Sequence, residues 1–399
     1  MAFLASRINR IKPSPSSMAG QRARELRATG RDIVALTSGE PDFDTPDHVI
    51  EAVIAAMRAS RTKYTDVGGT PELKAAVRQK FQRENGLDYR ASEIIVGTGG
   101  KQVIFNALMS TVQAGDEVIV PAPYWVSYPD IVMLAGGQPV FVECPADLGF
   151  KLQPADLERA ISPRTRWLML NAPSNPSGAT YSHAELLALS EVLARHPHVW
   201  VITDDMYEHI LYDGKRFATI ASVAPALRDR TLTVNGVSKA YAMTGWRIGY
   251  AGGPEILIKA MTKLQSQSTS NPSSISQAAA QEALSGPQAF VQERTAIFQQ
   301  RRDRVVALLN ACPGISCHVP EGAFYAFPSC RGILGKKAPT GAVINSDNDF
   351  VLYLLEENFA VLQGAAYGMS PYFRISYAAA MDVIEEGCAR LKRACERLA

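Results

Sequence analysis

Between residues 93 and 252 the sequence alternates between short apolar runs and stretches with helical spacing. Seven runs rich in β-branched residues are separated by segments such as 102–112 and 183–195, where apolar residues recur every three or four positions. The seven runs are Glu93–Gly97, Glu117–Pro121, Pro139–Cys144, Arg166–Asn171, Val199–Asp204, Thr231–Asn235 and Arg247–Gly252. This alternation predicts an α/β fold with a mostly parallel central sheet covered by helices.

The segments on either side of this region have a different character. A proline-stiffened stretch, Lys12–Ser17, is predicted to be an extended arm, and a short helix should follow and end at Gly30. Thr45 is a candidate cap for a helix over 46–60. A long helix is predicted to begin near Pro287, and the last hundred residues, with a final amphipathic helix over 383–398, indicate a smaller α+β unit.

Composition excludes several classes of protein. The chain has 399 residues, and 41 Lys and Arg stand against 39 Asp and Glu, so neither nucleic acid nor a membrane surface is an expected partner. No apolar stretch approaches the roughly 20 residues that span a bilayer, and the N-terminus lacks a secretory signal pattern. The six cysteines form no CxxC pair and no zinc pattern. We therefore expect no metal and a cytoplasmic location with free thiols.

The stretch Asn235–Tyr250 carries the most specific chemistry. Lys239 lies there among small and hydroxyl residues, and Arg247 is the other charged residue. Partial desolvation of a lysine lowers its pKa from about 10 and frees the nucleophilic lone pair for carbonyl chemistry. The guanidinium of Arg247 suits a phosphate. A structural lysine in a tight turn is the alternative.

Two further stretches follow predicted strands, where ligands of open α/β sheets bind. Residues 96–102 read V-G-T-G-G-K-Q, so Gly99 and Gly100 would let the backbone and a helix N-terminus approach an anion. This turn alone is a weak signal. Residues 123–128 read P-Y-W-V-S-Y, and Trp125 could stack on a flat ring or simply belong to the core.

Four other candidate site residues fall in three further stretches. Residues 171–178 read N-A-P-S-N-P-S-G and present Asn175, and residues 203–208 read T-D-D-M-Y-E and present Asp204 and Tyr207. An Asp at a strand end is often only a cap, but a buried carboxylate there can also stabilise a neighbouring cation. Arg374 stands in an apolar strand pattern, where an unpaired guanidinium would be costly. It is either an internal salt-bridge partner or a carboxylate clamp.

Together these motifs, in this order, resemble the class I/II aminotransferases, the fold-type I pyridoxal 5'-phosphate (PLP) enzymes. The resemblance implies a large PLP-binding domain over 46–290 with a seven-stranded sheet, and a small domain over 291–399 that takes in the arm, 1–45. It also implies that Lys239 is the Schiff-base lysine. The implied cofactor contacts are Tyr64 from a neighbouring subunit, Gly99, Gly100, Lys101, Trp125, Asn175, Asp204, Tyr207, Ser238 and Arg247. Gly236 stands where some relatives carry a further phosphate-binding hydroxyl.

The same resemblance suggests how a substrate is held. Arg374 would clamp the α-carboxylate, with the Gly39 backbone, Asn175 and Trp125 beside it. The G-G-K-Q turn is similar to that of bacterial aspartate aminotransferases, in which this lysine, here Lys101, holds a distal carboxylate. Lys12 stands at the position implicated in prephenate transamination.

The predicted function is therefore a ping-pong aminotransferase, with aspartate and 2-oxoglutarate as the main pair and arogenate formation from prephenate as an open question. Other aminotransferase substrates, aromatic amino acids or alanine, and PLP-dependent lyase chemistry remain alternatives. A PLP-binding regulator is a remote one, because no basic helix-turn-helix extension precedes residue 30. A shared active site through Tyr64 would require a two-fold homodimer.

Overall fold

The structure, a computed structural model, describes residues 3–399. Its helices are α1 Pro15–Ala28, α2 Asp47–Arg58, α3 Pro71–Lys80, α4 Gly100–Thr111, α5 Ser127–Leu134, α6 Pro154–Ala160, α7 His183–Arg195, α8 Ile220–Val223, α9 Glu255–Ser266, α10 Ser274–Ser285, α11 Ala289–Asn310, α12 Asp347–Glu356 and α13 Met381–Glu396. Its strands are β1 Val34–Ala35, β2 Ile94–Gly97, β3 Glu117–Ala122, β4 Gln138–Glu143, β5 Thr165–Asn171, β6 Trp200–Asp204, β7 Thr231–Gly236, β8 Gly249–Gly252, β9 Tyr325–Ala326, β10 Phe359–Ala360, β11 Leu362–Gln363 and β12 Phe373–Ser376.

A seven-stranded sheet in the order β2-β8-β7-β6-β5-β3-β4 forms the centre of the molecule. The pairs from β7 through to β4 are parallel, whereas β8 runs antiparallel to both of its neighbours, β2 and β7. Each of the seven apolar runs of the sequence forms one strand, with ends shifted by two residues at most. The predicted α/β fold with a mostly parallel seven-stranded sheet is confirmed.

Helices cover both faces of this sheet, because its inner strands are apolar on both sides. Every residue of β2, β7 and β8 is buried. One apolar cluster joins the sheet to α4 and α9, and another joins it to α7. Strands buried on both faces read as continuous apolar runs rather than alternating ones, which is the pattern that marked them in the sequence.

A second, smaller unit forms from the C-terminal residues and the end of the arm. A three-stranded antiparallel sheet in the order β11-β12-β9 packs with α11 and α13 around one apolar cluster. The parallel pair β1–β10 ties Val34 to Phe359. The domain boundaries near residues 45 and 290 stay predictions.

Several local predictions were wrong. The stretch Lys12–Ser17 is not extended throughout, because α1 already begins at Pro15. Thr45 does not cap α2; its hydroxyl instead accepts a 2.9 Å hydrogen bond from the indole of Trp246. The long helix begins at Ala289, two residues after Pro287.

Two further observations concern the whole described chain. All six cysteines are buried and unpaired. Among residues 3–399, no helix combines the length and the apolar character needed to cross a bilayer.

Candidate active site

A cavity of about 240 Å³ opens where the parallel strands of the large sheet end. Asn171, Asp204 and Gly236 are the last residues of β5, β6 and β7, and the first two line the cavity. The carboxyl ends of parallel strands share one edge of a sheet, so residues distant in sequence meet there. The cavity is lined by Ser16, Gly39, Gly100, Lys101, Trp125, Asn171, Asn175, Asp204, Met206, Tyr207, Ser238, Lys239, Arg247, Tyr325 and Arg374.

Lys239 presents an amine with a depressed pKa. Burial, and then the positive charges of Arg374 and Arg247, lower the pKa of Lys239 to about 8. Its Nζ donates a 2.6 Å hydrogen bond to the carbonyl oxygen of Gly39. An amine with this pKa is neutral in a substantial fraction of molecules near neutral pH, so it can act as a nucleophile or a base.

Asp204 lies buried at the end of β6 with one oxygen held and the other free. Its Oδ2 accepts a 2.7 Å hydrogen bond from the hydroxyl of Tyr128, whereas Oδ1 has no partner within residues 3–399. Burial raises the pKa of Asp204 to about 6, opposed mainly by the hydrogen bond from Tyr128 and less by the charge of Lys239. The carboxylate is therefore mostly ionised at pH 7 and lacks a donor on one side.

An anion cradle lies at the N-terminus of α4. Gly99 has φ +87°, and a Cβ atom there would lie 2.4 Å from Nη2 of Arg247, so glycine lets the guanidinium approach the backbone closely. Gly100 begins α4 and lines the cavity with Ser238. A helix N-terminus next to an arginine and a hydroxyl is suited to bind a phosphate group.

Gly236, beside this cradle, has no room for a side chain. An added Cβ would lie 2.9 Å from the carbonyl oxygen of Ile248 and 3.1 Å from Cα of Gly249. The hydroxyl that the sequence lacks at this position could not be introduced without moving β8.

Arg374 is a buried cation whose hydrogen bonding is incomplete. It donates a 3.0 Å hydrogen bond to Oδ1 of Asn175 and a 2.6 Å hydrogen bond to the carbonyl oxygen of Thr37, and its Nε has no partner in the described chain. The aromatic rings of Tyr325 and Tyr367 face its guanidinium, with centroids at 4.5 and 5.3 Å. No carboxylate forms a salt bridge with it among residues 3–399, which argues against the alternative of an internal salt bridge.

Lys101 also lines the cavity and is, with Lys239, Arg247 and Arg374, one of its four cations. Its ammonium lies 5.0 Å from the centroid of a Trp125 ring. Burial, and then the charge of Arg247, lower the pKa of Lys101. Lys101 thus depends on an aromatic ring rather than a carboxylate for its stabilisation, and it is available to an incoming anion.

Two predicted site residues lie elsewhere. The side chain of Tyr64 is 91% exposed and does not line the cavity, and Lys12 lies outside the cavity as well. The backbone N–H of Lys12 donates to Oδ1 of Asp130 at 3.3 Å. Within one chain, neither residue reaches the cavity.

Comparison with known proteins agrees with this geometry. Residues 31–398 match the family model for aminotransferase class I and II. The chain belongs to the class I and II aminotransferases. An aspartate/prephenate aminotransferase from Cereibacter sphaeroides is 57% identical, with 100% of both chains covered. A crystal structure of the aspartate aminotransferase from Rhizobium meliloti superposes with a TM-score of 0.97 at 57% identity, again over 100% of both chains.

A more distant structure matches almost as well. The aspartate aminotransferase from Thermus thermophilus with maleate has a TM-score of 0.92 and 42% identity, and the match covers 99% of this chain and 100% of that one. These findings confirm the family resemblance that the sequence motifs indicated.

The cavity of this aminotransferase also contains residues that the sequence did not single out as site residues: Ser16, Asn171, Met206 and Tyr325. Asn171 opens the N-A-P-S-N-P-S-G stretch, and Tyr325 lies within G-A-F-Y-A-F, so both were inside noticed stretches. A polar residue at a strand end was the available signal for Asn171. Nothing local distinguishes Tyr325 from the aromatic core residues beside it.

Proposed function

We propose that this aminotransferase uses PLP bound to Lys239 and transfers the amino group of L-aspartate to 2-oxoglutarate. The observation that carries the proposal is a buried carboxylate and a half-buried amine facing one cavity, each lacking the partner that PLP would supply. Asp204 Oδ1 has no hydrogen-bond donor, and the Lys239 amine has a pKa of about 8 and only the Gly39 carbonyl as an acceptor.

The residues of the cavity fit PLP at each of its functional groups. Asp204 would accept a hydrogen bond from the protonated ring nitrogen, because an ionised carboxylate favours the protonated pyridine. Trp125 would cover the ring, and Tyr207 and Asn175 would hold the phenolic oxygen. The phosphate would lie at Gly99, Gly100, Ser238 and Arg247, which form the cradle at the start of α4.

When bound, PLP supplies an electron sink that stabilises negative charge at the substrate Cα. Lys239 moves the proton at Cα, because its amine is freed when substrate binds and its pKa is close to the working pH. Arg374 orients the α-carboxylate, and its unpartnered Nε provides a further donor. The Gly39 carbonyl holds the Lys239 amine before PLP binds to it.

The preference for aspartate rests on two of the cations that line the cavity, Arg374 and Lys101. Arg374 and Lys101 line the same space, so a dicarboxylic substrate could contact both. The relatives named as aspartate aminotransferases, including the Thermus thermophilus enzyme with maleate, a dicarboxylate, support this assignment. An amino donor without a distal carboxylate, such as alanine or phenylalanine, would leave Lys101 without a partner.

Activity on prephenate, with a contribution from Lys12, is a second candidate. It is favoured by the aspartate/prephenate aminotransferase of Cereibacter sphaeroides, which is 57% identical. Lys12, four residues before the cavity residue Ser16, would have to move towards the cavity for its side chain to contact the ring carboxylate of this larger substrate.

We further propose a two-fold homodimer and a cytoplasmic location. Tyr64 is 91% exposed, as expected if it serves the cofactor phosphate of a second subunit, and Ile50 and Met57 add exposed apolar surface on α2. The six buried, unpaired cysteines are in keeping with a reducing compartment.

The deciding experiment is an absorption spectrum of the PLP-loaded protein before and after aspartate is added without an oxo acid. We expect the band of lysine-bound cofactor to be replaced by that of pyridoxamine phosphate, with release of oxaloacetate. Lys239→Ala should bind PLP without the lysine-dependent band. Lys263→Ala, on the outer helix α9, is the matched control and should behave like the parent.

Different outcomes separate the alternatives. A response to phenylalanine or alanine but not to aspartate would keep the aminotransferase and overturn the role of Lys101. Release of ammonia or carbon dioxide without pyridoxamine phosphate would indicate lyase or decarboxylase chemistry. Absence of any lysine-dependent band with excess PLP would contradict the central proposal.

A further inference from the structure

Tyr325 links the two ends of the active site. It belongs to β9 of the smaller unit, is fully buried and lines the cavity. Its hydroxyl lies 2.8 Å from the hydroxyl of Tyr207, and its ring centroid lies 4.5 Å from Cζ of Arg374. One side chain therefore contacts both the proposed cofactor-binding tyrosine and the proposed carboxylate-binding arginine.

The loop that holds Lys239 is shaped around the same hydroxyl. A Cβ atom on Gly39 would lie 2.9 Å from the Tyr325 hydroxyl oxygen, which is closer than normal van der Waals contact. The carbonyl oxygen of Gly39 accepts the hydrogen bond of Lys239. Glycine at position 39 thus lets the Tyr325 hydroxyl lie against the backbone that anchors the lysine.

We propose that Tyr325 is a positioning residue, which strengthens the hydrogen bond that Tyr207 donates to the cofactor and fixes the plane of the Arg374 guanidinium. This role rests on the proposed function, because it assumes that Tyr207 faces PLP. A hydroxyl has one proton, so a Tyr207 that donates to the cofactor can only accept from Tyr325. A hydroxyl that accepts a hydrogen bond becomes a better donor.

The groups that face Tyr207 allow this arrangement. Arg374 is the neighbouring cation, Asp204 the neighbouring anion, and the Lys239 ammonium lies 5.8 Å from the Tyr207 ring centroid. Burial raises the pKa of Tyr325 and of Tyr207, so both hydroxyls keep their protons throughout the working pH range. Tyr325 is therefore always able to donate.

The consequence is a change in proton affinity at the lysine nitrogen. A strong hydrogen bond from Tyr207 to the phenolic oxygen of PLP would stabilise negative charge on that oxygen. Without it, the oxygen would depend more on the proton carried by the neighbouring Lys239 nitrogen. Weakening the bond leaves the nitrogen proton more firmly held. The midpoint at which the bound cofactor changes colour with pH should then rise.

The test is a spectral pH titration of PLP-loaded Tyr325→Phe beside the parent protein. We expect the midpoint to rise by about 0.3 to 1 pH unit and kcat to fall about three- to tenfold, with KM for aspartate within about twofold because the ring remains over Arg374. Tyr325→Leu, which also removes the ring, should raise KM about tenfold more.

Tyr377→Phe is the matched control. It removes a buried hydroxyl in the same apolar cluster, where the Tyr377 hydroxyl oxygen lies 3.3 Å from the Tyr212 hydroxyl and 3.2 Å from the Ala323 carbonyl oxygen, without contacting the cavity. Its midpoint should equal that of the parent. Gly39→Ala displaces the Tyr325 hydroxyl without altering Tyr325 and should shift the midpoint in the same direction, which keeps the test available if Tyr325→Phe does not fold.

If the parent protein forms the lysine-dependent band while the titration midpoints of Tyr325→Phe and Gly39→Ala equal that of Tyr377→Phe, the role of Tyr325 alone would be overturned. A parent protein that forms no such band would overturn the proposed function and this role together.

Discussion

The hydroxyl of Tyr128 donates a 2.7 Å hydrogen bond to Oδ2 of Asp204, and both side chains are buried beneath the active-site cavity. Burial raises the pKa of Asp204 to about 6, and the hydrogen bond from Tyr128 is the largest of the effects that lower it. Without this bond, the carboxylate would be protonated at a higher pH and would lose its ability to keep a ring nitrogen charged.

Replacement of Tyr128 by Phe should therefore impair the enzyme most at low pH. We expect kcat with aspartate to fall about tenfold at pH 6.5 and less at pH 8.5, because a hydrogen bond to a charged group contributes about 1.5–3 kcal/mol. Steady-state pH profiles check this. Tyr89→Phe, which loses a buried hydroxyl bonded to Thr233 at 3.0 Å, should lower kcat equally at all pH values, if at all. A parallel profile for Tyr128→Phe would contradict the prediction.

Lys101→Ala should reveal which substrates contact the ammonium group of Lys101. Loss of an ammonium–carboxylate contact inside the cavity should raise KM for aspartate about 10- to 100-fold and KM for alanine less than twofold. Initial rates with both amino acids give the comparison. Lys259→Ala on the outer face of α9, where the lysine pairs with Glu255, serves as the control. Equal effects of Lys101→Ala on both substrates would remove its assigned role.

The rate at which PLP attaches to cofactor-free protein should rise with pH around a midpoint near 8. The neutral amine is the nucleophile, and burial together with Arg374 and Arg247 lowers the pKa of Lys239 to about 8, so its neutral fraction grows through that pH. Stopped-flow absorbance from pH 6.5 to 9.5 measures the rate. A midpoint near 10, as for a solvated lysine, would show that the amine is not desolvated.

Asp205 should make the free energy of unfolding fall with rising pH. Burial, and to a lesser degree the charge of Glu208, raise the pKa of Asp205 to about 8, against about 3.9 in an unfolded chain. Between these two pKa values the folded state binds one proton more than the unfolded state. The stability that protonated Asp205 provides is therefore fully present below pH 4 and is lost as the pH approaches 8. The contribution to the slope is at most about 1.4 kcal/mol per pH unit.

Asp205→Asn should remove this contribution, since the amide resembles the protonated acid. Urea unfolding at pH 5.5, 6.5 and 7.5 should show a flatter dependence than in the parent. Asp213→Asn is the control, because Arg302 lowers the pKa of Asp213 and its contribution is constant over this range. An unchanged slope in Asp205→Asn would mean that Asp205 is ionised in the folded protein.

Gln277 should prove important for the loop that carries Tyr64. Its buried side chain accepts from the Thr70 backbone at 2.8 Å and donates to the Thr65 hydroxyl at 3.0 Å and to the Pro272 carbonyl at 2.9 Å. Gln277→Leu should destabilise the protein by about 2–4 kcal/mol, because buried polar groups lose their partners.

Chemical denaturation measures this loss, and titration with PLP should also show weaker binding if the displaced Tyr64 serves a neighbouring subunit. Gln281→Leu, one turn later on α10, is the matched control for both measurements. A Gln277→Leu protein as stable as that control would refute the prediction.

The amino-acid sequence by itself determined the seven strands, several of the helices and the family, because these depend on local features. Apolar periodicity depends on near neighbours, and the glycine and proline motifs at strand ends determine turns within a few residues. The same locality explains the errors: helix ends such as Ala289 and the partner of Thr45 depend on contacts with distant segments.

Only the tertiary structure decided which residues meet. Tyr207 and Tyr325 are 118 positions apart and Tyr128 and Asp204 are 76 apart, so their hydrogen bonds exist only after the sheet and the smaller unit have packed. Packing also directs Asp204 into the cavity, whereas Asp205 next to it in the sequence turns to Thr203. Burial and nearby charges, not residue type, then set the pKa values of Lys239 and Asp204, because desolvation and Coulomb interactions act through space.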